Sequence, residues 1–197
     1  MQTSYLGPQI DDLEILSRLP ANIARTFESQ NGFISVEGGL HVRGACQNPM
    51  WHSIRTAWEG EFAISRLYPM VEKSDIPLAE DCFGNQYLLR KGKVIRLLGE
   101  TGELDNLDTN WEEFIARFEA ATIDSFQLFH LARFREEGGE LHPGFLLSVY
   151  PPFIAKECVG PSLRPIPALE CRSYLADFAR QIKNLNDGQR IKVKVAK

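Results

Sequence analysis

The chain lacks the residues that anchor small secreted or metal-bound folds. Its 197 residues include four cysteines, Cys46, Cys82, Cys158 and Cys171, none of them in a C-x-x-C pair. Four cysteines could form two disulfides, but nothing in the sequence suggests export, so reduced, mostly buried thiols are the expectation. His41, His52, His130 and His142 never fall at H-x-x-x-H or H-E-x-x-H spacing, so neither a metal nor another cofactor is expected. The first seventeen residues hold no Lys, no Arg and no apolar core, which argues against a secretory signal and for a cytoplasmic protein. The longest apolar stretch, Phe145 to Ile154, is interrupted by Ser148 and by Pro151-Pro152, so no membrane span is expected.

Positive charge is also in short supply. Lys and Arg total 22 against 26 Asp and Glu, a formal charge of −4. General affinity for nucleic acid or an acidic membrane needs a basic surface, so neither is an expected partner. Motifs for covalent chemistry are missing as well. No serine sits in a G-x-S-x-G elbow, and Gly38-Gly39 and Gly138-Gly139, without a P-loop Lys-Ser/Thr, read as turns. Glu80 and Asp81 are adjacent carboxylates, but neighbours in an extended strand point to opposite faces and do not share a site.

What is present is the composition of a packed domain, 44% hydrophobic and 24% charged. That suffices for one sizeable core, or a core with a smaller appended unit. Asp11 to Leu19 reads as a short helix. A second runs from Pro20 through Ile23, Ala24 and Phe27 to Asn31-Gly32, with proline at its start and glycine past its end. Residues 33–36 and 40–44 read as short strands. Trp51, Ile54 and Trp58 fall at i, i+3, i+7, which predicts a helix with a buried face. Residues 86–90, 93–98 and 103–107 alternate around Lys91-Gly92 and Thr101-Gly102, an antiparallel meander. Thr109 with Glu112, or Asn110 with Glu113, has the spacing of a capping box for a helix bearing Trp111, Phe114, Ile115 and Phe118. A further helix is expected over 126–134.

The last third has its own pattern: a strand-like run at 145–150, a Pro-rich stretch from Pro151 to Pro167, then Ala168, Cys171, Leu175, Phe178, Ile182 and Leu185 at helical spacing. Residues 190–195 alternate as a strand with Arg190, Lys192 and Lys194 on one face. Edge-strand protection explains those cations as well as a weak polyanion contact does. The chain divides into an α+β unit over 1–122 and an α+β extension over 123–197, packed on it.

One region stands apart. After the run from Ile76 to Glu80, Asp81 leads through Gly84-Asn85 into the strand of Tyr87, a specified tight turn. Taken with Leu19-Pro20, Phe27 and Asn31-Gly32 upstream, the tryptophans of 51–58, and Trp111 with Phe114 downstream, this order resembles the SUKH superfamily, the SMI/KNR-type regulators and bacterial immunity proteins. The resemblance covers residues 13–118. It implies an antiparallel-rich mixed sheet backed by helices, without catalysis. Leu19, Pro20, Asn31, Gly32, Trp58, Asp81, Gly84, Asn85, Trp111 and Phe114 then act as structural signature residues. Bacterial members of the family bind and neutralise a cognate toxin, often a nuclease, and fungal relatives are regulatory scaffolds, so the implied partner is a protein.

Glu100, Glu103, Asp105, Asp108, Glu112 and Glu113 lie between Gly99 and Phe114 with no basic residue among them. One reading makes them an acidic face that docks on a basic toxin surface. The other makes them a solvated hairpin plus a helix first turn, where negative charge suits the dipole. Three functions follow in order: toxin neutralisation by binding, a regulatory interaction module without a toxin, and an enzyme. The last would use a site between 1–122 and 123–197, and a bound metal, a nucleotide or a buried cluster of convergent polar groups there would favour it.

Overall fold

The computed structural model describes residues 3–120, 128–156, 158, 160–186 and 188–189. Seven strands lie side by side in chain order: β1 (Thr3–Leu6), β2 (Phe33–Ser35), β3 (Leu40–Val42), β4 (Ile76–Asp81), β5 (Gln86–Arg90), β6 (Lys93–Leu97) and β7 (Leu104–Asn106). Every neighbouring pair is antiparallel. The class is α+β, and the expected meander of residues 86–107 is the last part of a longer one. β1 went unread in the sequence because its four residues, Thr-Ser-Tyr-Leu, carry too little apolar alternation.

Helices fill the connections. α1 (Leu13–Arg18) and α2 (Ala21–Ser29) join β1 to β2, α3 (Ile54–Trp58) and α4 (Ile64–Leu67) join β3 to β4, and α5 (Trp111–Ala120) follows β7. Asp12 caps α1 by accepting the Ile15 N–H at 3.1 Å. Asn110 and Glu113 form the expected capping box: the Asn110 side-chain Oδ1 accepts the Glu113 N–H at 2.9 Å, and the Glu113 carboxylate accepts the Asn110 N–H at 3.3 Å.

Alternation in the strands sends side chains to two cores. Tyr87, Leu89 and Val94 join Ile15, Ile23, Phe27, Trp111, Phe114 and Phe118 in one buried cluster. Leu88 and Ile95 join Ala57, Ile64, Tyr68, Ala176 and Ala179 in another.

The tryptophan stripe is corrected by the structure. Ser53 accepts the Thr56 N–H, so the helix begins at Ile54 and leaves Trp51 in the preceding turn. Trp51 packs instead against Tyr5 and His41, with ring centroids 5.0 Å away in each case. Trp58 is half-buried; Arg18 lies over its ring and its indole N–H donates to the Lys73 carbonyl.

The last third of the chain supplies α6 (Phe129–Glu136), a hairpin of β8 (Phe145–Tyr150) with β9 (Ser162–Pro167), and α7 (Ala168–Ile182). β9 lies within the Pro-rich stretch read as irregular. Pro165 and Pro167 are accommodated because β8 is the only strand paired with it among the described residues. Leu185 lies past the end of α7. The basic strand expected at 190–195, and residues 126–127 of the helix expected over 126–134, fall outside the described residues. The Leu147 N–H donates to the Cys82 carbonyl at 2.7 Å, and Ala176 and Ala179 of α7 enter the second sheet cluster.

Candidate functional site

A buried charged network lies where α7 meets the sheet. β3 carries His41 and is followed by Arg43, β4 carries Glu80, β5 begins with Gln86, the turn before α3 holds His52, and α7 contributes Arg172. Arg43, His52 and Glu80 are 0% exposed and Arg172 is 1% exposed. Burial of charge is tolerated only with dense pairing, and the pairing here is dense. Glu80 Oε2 accepts from Arg172 Nε at 2.7 Å, Arg43 Nη2 at 3.0 Å and Gln86 Nε2 at 3.1 Å. Its Oε1 accepts from Arg172 Nη2 and faces His41 Nδ1 at 2.9 Å.

Arg43 also serves a fault in the sheet. Pairing of β4 with β5 slips between Pro77 and Ala79, and Arg43 Nη1 donates to both of those carbonyls, at 3.1 and 3.2 Å. A bulge locally disrupts the ladder, and here a buried guanidinium donates to the carbonyls on either side of it. Arg172 Nη2 reaches the Trp51 carbonyl at 3.0 Å, so one side chain of α7 binds both β4 and the loop before α3.

From Glu80 a line of imidazoles leads away. His41 Nε2 lies 2.9 Å from His52 Nδ1, and His52 Nε2 lies 3.0 Å from the Asn31 carbonyl. Burial pushes the Glu80 carboxyl up, but Arg172 and Arg43 outweigh it and hold the group well below the usual carboxylate range. Burial pushes His41 down to about 4 against the pull of Glu80, and His52 down to about 3. Both imidazoles are neutral at pH 7. Arg43, lowered by burial to about 9, stays charged there.

Beside His41 and Glu80 lies a cavity of about 20 Å³, lined also by Trp51, His142, Gly144 and Phe145. That space admits about one water molecule. Small-molecule pockets are typically about 300–1,000 Å³.

The signature residues take structural roles around this network. Asn31 Oδ1 accepts the Ala45 N–H and its amide donates to the Pro8 carbonyl. Gly32, at φ +75°, passes so close to Val42 and Arg43 that a Cβ would collide with their backbone. Asp81 ends β4 rather than standing in a turn: its carboxylate accepts the N–H of Phe83 and of Asn85 and the Asn85 amide, and so shapes the turn that follows. Burial nonetheless raises its pKa to about 6. Gly84, at φ +88°, leaves room for Leu175 of α7, whose Cδ1 any Cβ there would strike. Asn85 Oδ1 accepts the Gly99 N–H at 3.0 Å. Leu19 is buried at the end of α1, Pro20 is the N-cap of α2, and Trp111 and Phe114 stack at 5.5 Å beneath Tyr87.

The six acidic residues are not one array. Glu100 accepts the N–H groups of Phe153 and Ile154 in the extension, and burial raises its pKa. Asp105 pairs with Arg96 at 2.8 Å, and Glu113 belongs to the capping box. Glu103, Asp108 and Glu112 are exposed, and bond to Thr101, Asn106 and Asn22 respectively.

Arg43, His41, His52, Gln86 and Arg172 were not singled out as site residues from sequence. One signal was available: Arg172 follows Cys171 and precedes Leu175 by three, which places a cation inside the apolar face of α7. All four cysteines are free, three of them buried. Among the described residues no group of three or more His, Cys, Asp or Glu is placed to hold a metal, and no helix is long and apolar enough to cross a membrane. No family model matches the chain, and neither the curated proteins nor the solved structures contain a significant match to it.

Proposed function

We propose that this chain is a protein-binding module of the SUKH immunity type, one that neutralises a toxin by occupying its surface and performs no covalent step. The observation that carries this reading is how the buried polar groups are spent. Both Glu80 oxygens are occupied by partners from β3, β5 and α7, and the adjoining cavity has room for about one water. The network joins the extension to the sheet. Recognition is left to the exterior, where Glu103, Asp108 and Glu112 present charge to solvent.

One observation favours the catalytic alternative: convergent polar groups do sit in the junction between core and extension. The size of the cavity counts against it, since no organic substrate fits beside His41.

Co-expression with the product of a toxin gene adjacent to this one tests the proposal. Growth is restored if the chain neutralises that toxin; continued killing, with a soluble chain present, contradicts the reading. On the purified pair, Glu103→Gln, Asp108→Asn and Glu112→Gln together are expected to weaken affinity on the order of tenfold at low salt and to flatten its salt dependence, because exposed charges act mainly on association rate. Unchanged affinity and salt slope would rule out this acidic surface as the contact.

A further inference from the structure

The relay from Glu80 to Asn31 has three contacts but only two protons to fill them. A backbone carbonyl only accepts, so the 3.0 Å contact at Asn31 calls for a proton on His52 Nε2. Neutral His52 then accepts at Nδ1, which calls for a proton on His41 Nε2. Neutral His41 is left with a bare Nδ1 facing the Glu80 carboxylate at 2.9 Å. Any other placement of the two protons moves the vacancy along the chain without filling it.

A third proton fills the vacancy and puts an N–H on His41 Nδ1, aimed at Oε1. Arg172 Nη2 binds that same oxygen. The pair then becomes a third cation beside Arg43 and Arg172, all facing the one charge of Glu80. We propose that the His41–His52 pair makes the seating of α7 acid-sensitive, because one proton entering the pair competes with Arg172 for Glu80 and loosens the first half of α7 from the sheet. A small cavity lined by Trp51, His142 and Gly144 adjoins His41.

The surrounding groups set the sign. Arg43 at the end of β3 and Arg172 on α7 oppose a charged imidazole, and Glu80 on β4 favours it. Cys171 on α7, Tyr5 on β1 against His52, and His142 at the cavity complete the titratable surroundings. With α7 lifted, Arg172 no longer opposes a charged His41, and the His41 pKa returns towards its ordinary value near 6.5. Below that pH the lifted state binds more protons than the seated one, so seating weakens as pH falls until the seated pair itself protonates. Asp81, also on β4, works the other way: its raised pKa favours the folded form as pH falls through about 6. A variant comparison therefore isolates the imidazoles.

Hydrogen exchange of the full chain at pH 7 and pH 4.5, corrected for the intrinsic rate, reads the seating directly. Taking His41 alone, with 6.5 lifted and about 4 seated, α7 is expected to lose protection roughly 60-fold relative to β5 and β6. His41→Gln is expected to lose less than about threefold over the same range. Parallel loss in helix and sheet, or a His41→Gln protein that follows the native one, overturns the proposal. Should that variant fail to fold, ring ¹⁵N shifts of the native protein decide. One proton taken up by the pair, with α7 amides moving at the same midpoint, supports it; ring titration that leaves α7 unmoved overturns it.

Discussion

Glu80→Ala is expected to lower the free energy of unfolding by about 3–5 kcal/mol, a large share of what a single domain possesses. The substitution removes the one carboxylate that compensates Arg43 and Arg172, and both guanidiniums stay buried. There is no slack to absorb the loss, because Arg43 Nε and Arg172 Nη1 already lack a hydrogen-bond partner among the described residues. Glu80→Gln keeps the volume but turns two donors towards two cations, so it is expected to recover little. Removing all three charges together, as Arg43→Met, Glu80→Leu and Arg172→Met, is expected to cost less than Glu80→Ala alone, since no uncompensated charge remains. Urea unfolding, with the midpoint read at constant slope, ranks the three proteins. A Glu80→Ala protein within about 1 kcal/mol of native would show that the buried charges find other partners.

Phe114→Ala is expected to cost a similar amount, about 3–5 kcal/mol, for an unrelated reason. Phe114 is buried between α5 and the sheet, with Tyr87 at 4.7 Å, Trp111 at 5.5 Å and Phe118 at 5.7 Å between ring centroids. Truncation leaves a cavity that three rigid rings cannot close. Phe114→Leu refills most of it and is expected to cost less than half as much. This gradation by volume separates the two sites: a packing defect is repaired by any apolar group of suitable size, a charge defect only by restoring or removing its partners.

The contrast also explains what the sequence made legible. Trp111, Phe114 and Phe118 repeat at helical spacing, so local periodicity reveals α5 and its buried face. Asp81, Gly84 and Asn85 stand within five residues of one another, and their turn follows from residue type. Glu80 and Arg172 are 92 residues apart, and Arg43 and Glu80 are 37 apart. Nothing local marks them as partners; only the antiparallel order of β3, β4 and β5, closed over by α7, brings them together. His41 and His52 were read for metal spacing along the chain, whereas their contact spans a turn and uses ring nitrogens. The tryptophan stripe misled because Ser53 caps a helix that begins at Ile54, three residues after Trp51. The acidic run between Glu100 and Glu113 was legible as composition but not as geometry, since Glu100 turns inward to hold the backbone of Phe153 and Ile154.

Arg172 reaches across from α7 to Glu80 and so fastens the helix to the sheet. A double-mutant cycle between Glu80→Gln and Arg172→Met, followed by urea unfolding, measures that tie without relying on either single loss. A coupling of about 2–3 kcal/mol is the predicted result. A coupling below about 0.5 kcal/mol, the value for sites that do not interact, would contradict it.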